Sequence, residues 1–184
     1  MMNEFEEVAM MNEFEEVAMM NHEATAVATE ILFREGMYLD RRRWKEWVGL
    51  YAPDAVYWVP AWRNEYDEID DPDTEISFIY HDSRIGLEER ISRIQSRKSV
   101  TAMPLPRTTH FVSNVMASPA GAETIEAQSS WMVRVYDPRT AKQHVHFGWY
   151  ELQMKHKDGQ WLIARKKIHL QNDLVPAAMD FYAL

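Results

Sequence analysis

Apolar and polar residues alternate through most of the chain after residue 107, and this alternation constrains the fold more than any other feature of the sequence. A period of two places every second side chain on the same face of a β-strand. The pattern predicts four long strands, at residues 110–116, 124–136, 143–155 and 161–171. On the second strand it predicts one apolar, buried face: Ile125, Ala127, Trp131, Val133 and Val135. Asp158-Gly159, between the last two strands, is typical of a two-residue hairpin turn, so the strands are expected to form an antiparallel meander.

The residues before the alternation have helical spacing instead. Apolar residues recur three and four positions apart from residue 24 to residue 32 and again from residue 87 to residue 94. The predicted elements are a helix at 21–39, a short helix capped by Asp40 and ended by Pro53, strands at 55–62 and 76–80, and a helix after Ser83. Helices followed by a meander indicate an α+β fold, with a strongly curved antiparallel sheet wrapped around the first helix. This is the cone shared by nuclear transport factors, ketosteroid isomerases and SnoaL-like proteins, which includes both enzymes and binding modules.

The N-terminus is an exact tandem duplication of nine residues. MMNEFEEVA occupies residues 1–9 and again 10–18, a repeat far shorter than one that packs as a structural unit. We therefore interpret residues 1–20 as an acidic extension and residues 21–184 as a single domain. Six of the 29 acidic residues lie in the duplication, so 23 remain against 20 basic residues. The nearly balanced charge of the domain does not favour nucleic-acid binding.

The composition excludes several classes of chemistry. The chain has no cysteine, which excludes disulfides, thiolate nucleophiles and thiolate-bound zinc or iron–sulfur clusters. No uncharged stretch approaches the roughly 20 apolar residues of a membrane span, and the N-terminus is acidic where a secretory signal is basic. A cytoplasmic protein that does not bind membranes is expected.

An acidic segment at residues 66–75 superficially resembles a calcium-binding loop. It holds six carboxylates but lacks the glycine at the sixth position and the closing glutamate of a helix–loop–helix calcium site. We interpret it as a solvated surface loop.

The strongest candidate metal ligands are His144, His146 and Glu151. Their spacing matches the H-x-H-x₄-E pattern of cupin barrels, and two histidines two residues apart on a strand share a face. Glu151 lies an odd number of residues from both, so it is expected on the opposite face unless the strand bends near Gly148. Histidines at the surface or at an interface are therefore the preferred interpretation, and a cupin-like metal site is the alternative.

A pocket inside the cone is a second candidate site. Ketosteroid-isomerase-like enzymes place an aspartate base and tyrosine donors there. The residues of this chain that are able to supply such groups are Asp40, Tyr57, Tyr80 and His110. Large side chains are expected to fill the interior instead: Trp58, Trp62, Trp131 and Trp149. A free-standing isomerase or dehydratase is therefore kept as an alternative function.

Segments along nearly the whole chain from residue 24 resemble the β subunits of benzoate, anthranilate and 2-halobenzoate dioxygenases. In the first half these are Phe33-Arg34-Glu35, Tyr38-Leu39-Asp40, Trp44-Lys45-Glu46-Trp47, Leu50-Tyr51 and Tyr57-Trp58-Val59-Pro60-Ala61-Trp62. Further along they are Asp71-Pro72, Glu75-Ile76-Ser77, Ile79-Tyr80, residues 84–93, Arg107, His110, Asn114-Val115, Ala164-Arg165-Lys166-Lys167, Asn172-Asp173 and Asp180-Phe181-Tyr182. Their order and spacing together identify the chain as a member of this family.

The resemblance implies a structural, assembly subunit of an α₃β₃ hexamer. In this family the large subunit holds the Rieske cluster, the mononuclear iron and the substrate pocket, and the β subunits form a trimeric base. A Rieske centre needs two cysteines, so the cluster is expected on the partner and no cofactor on this chain.

The implied reaction is the insertion of both atoms of O₂ into an aromatic carboxylate, with NADH-derived electrons arriving through a reductase. The product is a cis-dihydrodiol carboxylate, and the sequence does not specify which aromatic acid is used. The family assigns no catalytic residue to its β subunits, so none is transferred. The expected interface residues are Trp62, Arg84, Arg107, His110 and Arg165.

Overall fold

The computed structural model describes residues 4–96, 103–172, 175 and 179–184, with side chains described from residue 17 onward. Three α-helices are present in these ranges: α1 (Glu4–Asp40), α2 (Trp44–Val48) and α3 (Arg84–Gln95). The strands are β1 (Tyr51–Val59), β2 (Ile79–His81), β3 (Arg107–Pro119), β4 (Thr124–Asp137), β5 (Lys142–Lys157) and β6 (Gln160–Leu170). A 3₁₀ turn at Phe181–Ala183 follows.

The six strands form one sheet in the order β2-β1-β6-β5-β4-β3. All neighbouring strands are antiparallel except β1 and β6, which are parallel. Helix α1 packs against β3 and β4, while α3 packs against β1 and β2. One face of the sheet, here called the inner face, shares a single apolar core with the helices, and the opposite, outer face is largely exposed. The predicted α+β cone is confirmed.

The predicted alternation is clearest on β4. All five residues assigned to its apolar face are less than 5% exposed, and Glu126, Gln128 and Arg134 between them are exposed. On β6 the alternation is interrupted, because neighbouring residues such as Ile163 and Ala164 are both buried. Asp158 and Gly159 both adopt positive φ angles, of 51° and 77°, which the predicted two-residue hairpin requires. The strands extend a few residues beyond the predicted bounds because cross-strand hydrogen bonds continue into the polar ends.

Helix α1 starts earlier than predicted. It begins at Glu4 rather than at Asn21 and runs without interruption to Asp40. The duplicated segment contains no glycine or proline and is rich in glutamate, methionine and alanine, which are good helix formers. The helix therefore continues through the duplication.

Two further predictions about α2 were wrong. Asp40 does not cap it: Arg43 occupies the N-cap position without a side-chain hydrogen bond, and the Asp40 carboxylate binds β3 instead. Pro53 does not end it either, because α2 ends at Val48 and Pro53 lies within β1. There the pairing of β1 with β6 is irregular, and a residue that has no N–H to donate is tolerated at such a position.

An aromatic cluster fills the interior between α2, β1 and the 3₁₀ turn. Trp47 stacks on Phe181 with ring centroids 4.5 Å apart, and Tyr51 packs edge-on against Trp47 at 5.4 Å. Four tryptophans were predicted to fill the cone, and of these only Trp131 belongs to the hydrophobic core. The other three lie toward the outer face: Trp58 contacts Ser77, Trp62 contacts Leu170 and Trp149 contacts His169. Odd-numbered residues point to the inner face on some strands and to the outer face on others. The presence of a tryptophan in a strand therefore did not show whether its side chain lies in the interior.

No helix within the described residues is both long enough and apolar enough to cross a membrane.

Candidate functional site

The interior of the cone contains a buried ion pair that the sequence analysis missed. The Nζ atom of Lys166 on β6 donates to Oε2 of Glu35 on α1 at 2.6 Å, and both side chains are at most 3% exposed. The Tyr51 hydroxyl and the Trp47 indole N–H also donate to the Glu35 carboxylate. The Lys166 ammonium lies 3.8 Å from the centroid of the Tyr150 ring. Each charge is thus compensated by a partner within the core.

Burial dominates the electrostatics of this cluster. It lowers the pKa of Lys166, while the neighbouring Glu35 carboxylate acts in the opposite direction. Burial, reinforced by the Glu35 charge, raises the pKa of Tyr51, Tyr57 and Tyr150 well above the usual value, so these phenols stay neutral. The groups resemble those of a catalytic site, but their side chains are packed against one another. All of these residues are at most 2% exposed.

Two sequence signals identify the pair in retrospect. Glu35 falls on the helical stripe of α1 that also carries Leu32 and Leu39, and Lys166 has the same parity on β6 as the buried Ile168. A charged residue at an otherwise apolar position of each element suggests that the two meet in the core.

The four residues proposed for an isomerase-like pocket do not converge. Asp40 and His110 do contact each other: Asp40 Oδ1 lies 2.6 Å from His110 Nδ1, and Asp40 Oδ2 accepts the His110 backbone N–H at 3.0 Å. Tyr57 lies in the core, whereas Tyr80 packs against Trp58 on the other side of the sheet. The Asp40 carboxylate therefore satisfies the free edge of β3 and attaches the end of α1 to it.

The sheet separates the candidate metal ligand Glu151 from His144 and His146, whose rings share one face with their centroids 4.9 Å apart. His146 is buried on the inner face, where its Nδ1–H donates to the Ala183 carbonyl at 2.8 Å. Glu151 lies on the outer face with its side chain 48% exposed, as the parity of β5 predicts. Within the described residues, no group of three or more histidine, aspartate and glutamate side chains is arranged to hold a metal ion.

Burial lowers the pKa of His144 and His146, and also that of His81. In the unfolded chain these side chains titrate near 6.5. The unfolded state therefore binds more protons than the native state once the pH falls below about 6.5, and the free energy of unfolding decreases as the pH decreases.

We expect urea unfolding at pH 5.5 to show a lower free energy of unfolding than at pH 7.5. His146→Asn, which keeps an N–H donor for Ala183 but does not titrate, is expected to reduce that difference; an unchanged difference would contradict this assignment.

The residues predicted at subunit interfaces lie in different environments. Arg107 and Arg165 are exposed at the surface of the sheet. Arg84 donates to the Tyr51 carbonyl and to Glu88, and both ring nitrogens of His110 face oxygen atoms of this chain. The Trp62 indole donates to the Leu170 carbonyl at 2.7 Å. Arg107 and Arg165 are thus the predicted residues whose exposure best suits contact with another subunit.

Three large apolar side chains form a continuous row across the outer face of the sheet. Phe111 on β3 pairs with Met132 on β4, which pairs with Phe147 on β5. Their exposed fractions are 48%, 38% and 42%, although they occupy positions where the alternation calls for polar residues. An exposed apolar patch of this kind indicates a surface that binds another protein. This set is called the apolar row below.

Comparisons with known proteins agree on one family. A family model described as ring hydroxylating beta subunit matches residues 34–177. The 2-halobenzoate 1,2-dioxygenase small subunit of Burkholderia cepacia is 36% identical over 151 residues, which are 82% of this chain and 90% of that protein. The solved beta subunit of the benzoate 1,2-dioxygenase from Burkholderia mallei superposes with a TM-score of 0.70 at 28% identity, covering 86% of this chain and 96% of that one.

A more distant similarity concerns the fold alone. A protein from Novosphingobium aromaticivorans, provisionally described as a scytalone dehydratase, superposes with a TM-score of 0.61 at 15% identity. The superposition covers 83% of this chain and 89% of that one. Proteins with different functions thus share this cone.

Proposed function

The chain belongs to the ring-hydroxylating beta-subunit family, and from this premise we propose that it assembles with a large oxygenase subunit that carries out the catalysis. The family match over residues 34–177, together with 36% identity to a dioxygenase small subunit, is the observation that carries the proposal. The chain is the small subunit of a ring-hydroxylating dioxygenase. Its contribution to the reaction is to support the partner.

Two features support the placement of catalysis on the partner. The sequence has no cysteine for a Rieske cluster. The charged cluster of Glu35 and Lys166 is enclosed by the core. We therefore propose that this chain has no active site of its own and that the cluster, the mononuclear iron and the substrate pocket lie on the large subunit.

The relatives suggest the class of substrate. The small subunits to which this chain is similar are named for dioxygenases of 2-halobenzoate, toluate, benzoate and anthranilate. We propose that the complex adds both atoms of O₂ to an aromatic carboxylate. NADH is oxidised to NAD⁺ and supplies two electrons through a reductase. Two protons, one released by NADH and one from solution, complete the two hydroxyl groups of the cis-dihydrodiol carboxylate. A cytoplasmic location, where NADH is available, accords with this reaction.

The proposed assembly is an α₃β₃ hexamer in which three copies of this chain form the base. The apolar row supports an interface on the outer face of the sheet, since burying such side chains against a partner is favourable. Arg107 and Arg165 are the proposed charged contacts. Residues 21–184 are the proposed domain, with residues 1–20 as an acidic extension.

Phe147→Asp tests the proposed interface. A carboxylate at one end of the apolar row is expected to weaken assembly at least about tenfold, because a buried unpaired charge is costly in a desolvated interface. The isolated chain should still fold, since Phe147 is 42% exposed. Size-exclusion chromatography with multi-angle light scattering, at matched concentrations, measures the effect. Gln128→Asp, which adds the same charge at an exposed position on the same face, is the control and should assemble normally; equal assembly of the two variants would argue against this interface.

Co-expression with a large-subunit gene tests the proposed function as a whole. A brown iron–sulfur complex that contains both chains in equal amounts is the expected result. A chain that stays alone, neither trimerising nor binding the large subunit, would refute the proposal.

A further inference from the structure

A second polar cluster lies on the outer face of the sheet, where three elements meet. His169 is on β6, Glu151 is on the neighbouring strand β5, and Glu68 is in the segment between β1 and β2. His169 Nδ1 lies 2.5 Å from Glu68 Oε2, and His169 Nε2 lies 3.4 Å from Glu151 Oε1. The His169 ring also stacks on Trp149 with centroids 4.4 Å apart. The imidazole is thus held in one orientation between two carboxylates.

The two ring nitrogens of His169 have different environments. The short contact with Glu68 identifies Nδ1 as a protonated donor, because a carboxylate oxygen can only accept. Nε2 is buried and has no hydrogen-bond partner, although the His169 side chain is only 6% exposed. In the neutral ring the lone pair of Nε2 therefore faces the negative Glu151 carboxylate. This arrangement is repulsive unless a cation lies between the two atoms.

The geometry fits a metal ion as that cation. Zinc binds imidazole nitrogen and carboxylate oxygen at roughly 2.0–2.2 Å, so two ligands of a tetrahedral ion lie about 3.3–3.5 Å apart. The separation of Nε2 and Oε1 is 3.4 Å, which lies in that range and exceeds the length of a usual N–H···O bond. A carboxylate that holds the other ring nitrogen is the arrangement that orients histidine ligands in metalloproteins. Glu68 occupies that position.

We propose that His169 and Glu151 bind a divalent transition-metal ion of the zinc type, with Glu68 orienting the imidazole. Glu151 lines a cavity of about 550 Å³, so this ligand is accessible from solvent. Lys167, the cross-strand neighbour of Glu151, places its ammonium over the Trp58 ring at 4.6 Å. Arg165 lines the same cavity, so the site combines two protein ligands with nearby positive charge. Its affinity is therefore weaker than that of a structural site with four protein ligands.

The contact between His169 and Glu68 ties the segment that contains Glu68 to the sheet. Trp62, which forms a bridge with Glu68, also attaches this segment through its indole hydrogen bond to the Leu170 carbonyl. Metal binding stabilises the native state because the unfolded chain has no preformed site.

Titration of the full-length, chelator-treated chain with Zn²⁺ alone tests the proposal. Isothermal titration calorimetry is expected to give one ion per chain, and at a hundredfold excess over Kd the melting temperature rises by about 5–10 °C. Glu151→Gln removes one ligand at an exposed position, so the variant folds, and it is expected to bind at least about tenfold more weakly. Glu68→Gln keeps both ligands but weakens their orientation, with an expected loss of about 10–100-fold.

Two controls separate this site from other histidines and from general charge effects. Glu126→Gln removes an exposed carboxylate that lines the same cavity and should bind zinc like the unmodified chain. His144→Ala should also retain binding. Equal zinc affinity in the Glu151→Gln variant would overturn the proposal. Absence of binding up to millimolar zinc would also overturn it and would mean that a proton is the only cation between His169 and Glu151. The titration uses the isolated chain, so its result is independent of whether the chain assembles with a large subunit.

Discussion

Lys166→Met is expected to lower the free energy of unfolding by about 3–5 kcal/mol, among the largest effects of any single substitution in this chain. The methionine fills a similar volume, but it leaves the Glu35 carboxylate in the core without its cation. The Tyr51 and Trp47 donors that remain do not neutralise that charge. Urea unfolding followed by tryptophan fluorescence and circular dichroism measures the change.

The double variant Glu35→Gln with Lys166→Met separates the cost of an unpaired charge from the loss of packing. The glutamine oxygen still accepts a hydrogen bond from Tyr51. We therefore expect the free energy of unfolding of the double variant to lie within about 1–2 kcal/mol of that of the unmodified chain. Lys167→Met on the same strand is the matched control and should cost less than about 1 kcal/mol, because its ammonium lies at the outer face over Trp58. If Lys166→Met cost no more than Lys167→Met, the buried pair would not be important for stability.

Gly148→Ala is expected to cost at least about 3 kcal/mol, because the backbones of β5 and β6 are too close there for a side chain. A Cβ atom at this position would lie 1.8 Å from the carbonyl oxygen of His169 and 2.9 Å from its carbonyl carbon. Both neighbours are main-chain atoms, so no rotamer change relieves the clash and the strands have to separate. A decrease in the melting temperature and in the midpoint of urea unfolding measures the effect.

Gly49→Ala is the matched control for this prediction. At Gly49 the backbone has a right-handed helical conformation, and an added Cβ lies 3.4 Å from its nearest neighbours. The free energy of unfolding of the Gly49→Ala variant should stay within about 0.5 kcal/mol of that of the unmodified chain. A Gly148→Ala variant as stable as Gly49→Ala would mean that β5 and β6 adjust to the methyl group at little cost.

Much of the fold was predictable because it follows from local periodicity. The four long strands, the hairpin at Asp158-Gly159 and the buried face of β4 all follow from which residue type stands at every second position. The position of Pro53 was predicted wrongly, since it depends on how β1 pairs with β6. The start of α1 was also predicted wrongly, although the helix formers of the duplicated segment are a local signal. Boundaries are decided by hydrogen bonds to other segments, which no local pattern contains.

The candidate sites were less predictable for the same reason. The odd spacing of Glu151 from His144 and His146 predicted opposite faces of β5, and the structure agrees. On the outer face Glu151 meets His169, which the chain brings from an adjacent strand.

The order and type of residues were sufficient to predict the fold class and the family and to exclude a cysteine-bound cluster. Which charges are buried together and which apolar side chains remain exposed depends instead on tertiary packing. Glu35 and Lys166 are 131 residues apart in the chain, and their contact exists only because α1 packs on the inner face of the sheet. The apolar row likewise exists only because the register aligns Phe111, Met132 and Phe147 across three strands. Residues distant in sequence become neighbours through strand pairing and helix packing, and local patterns carry no information about those distances.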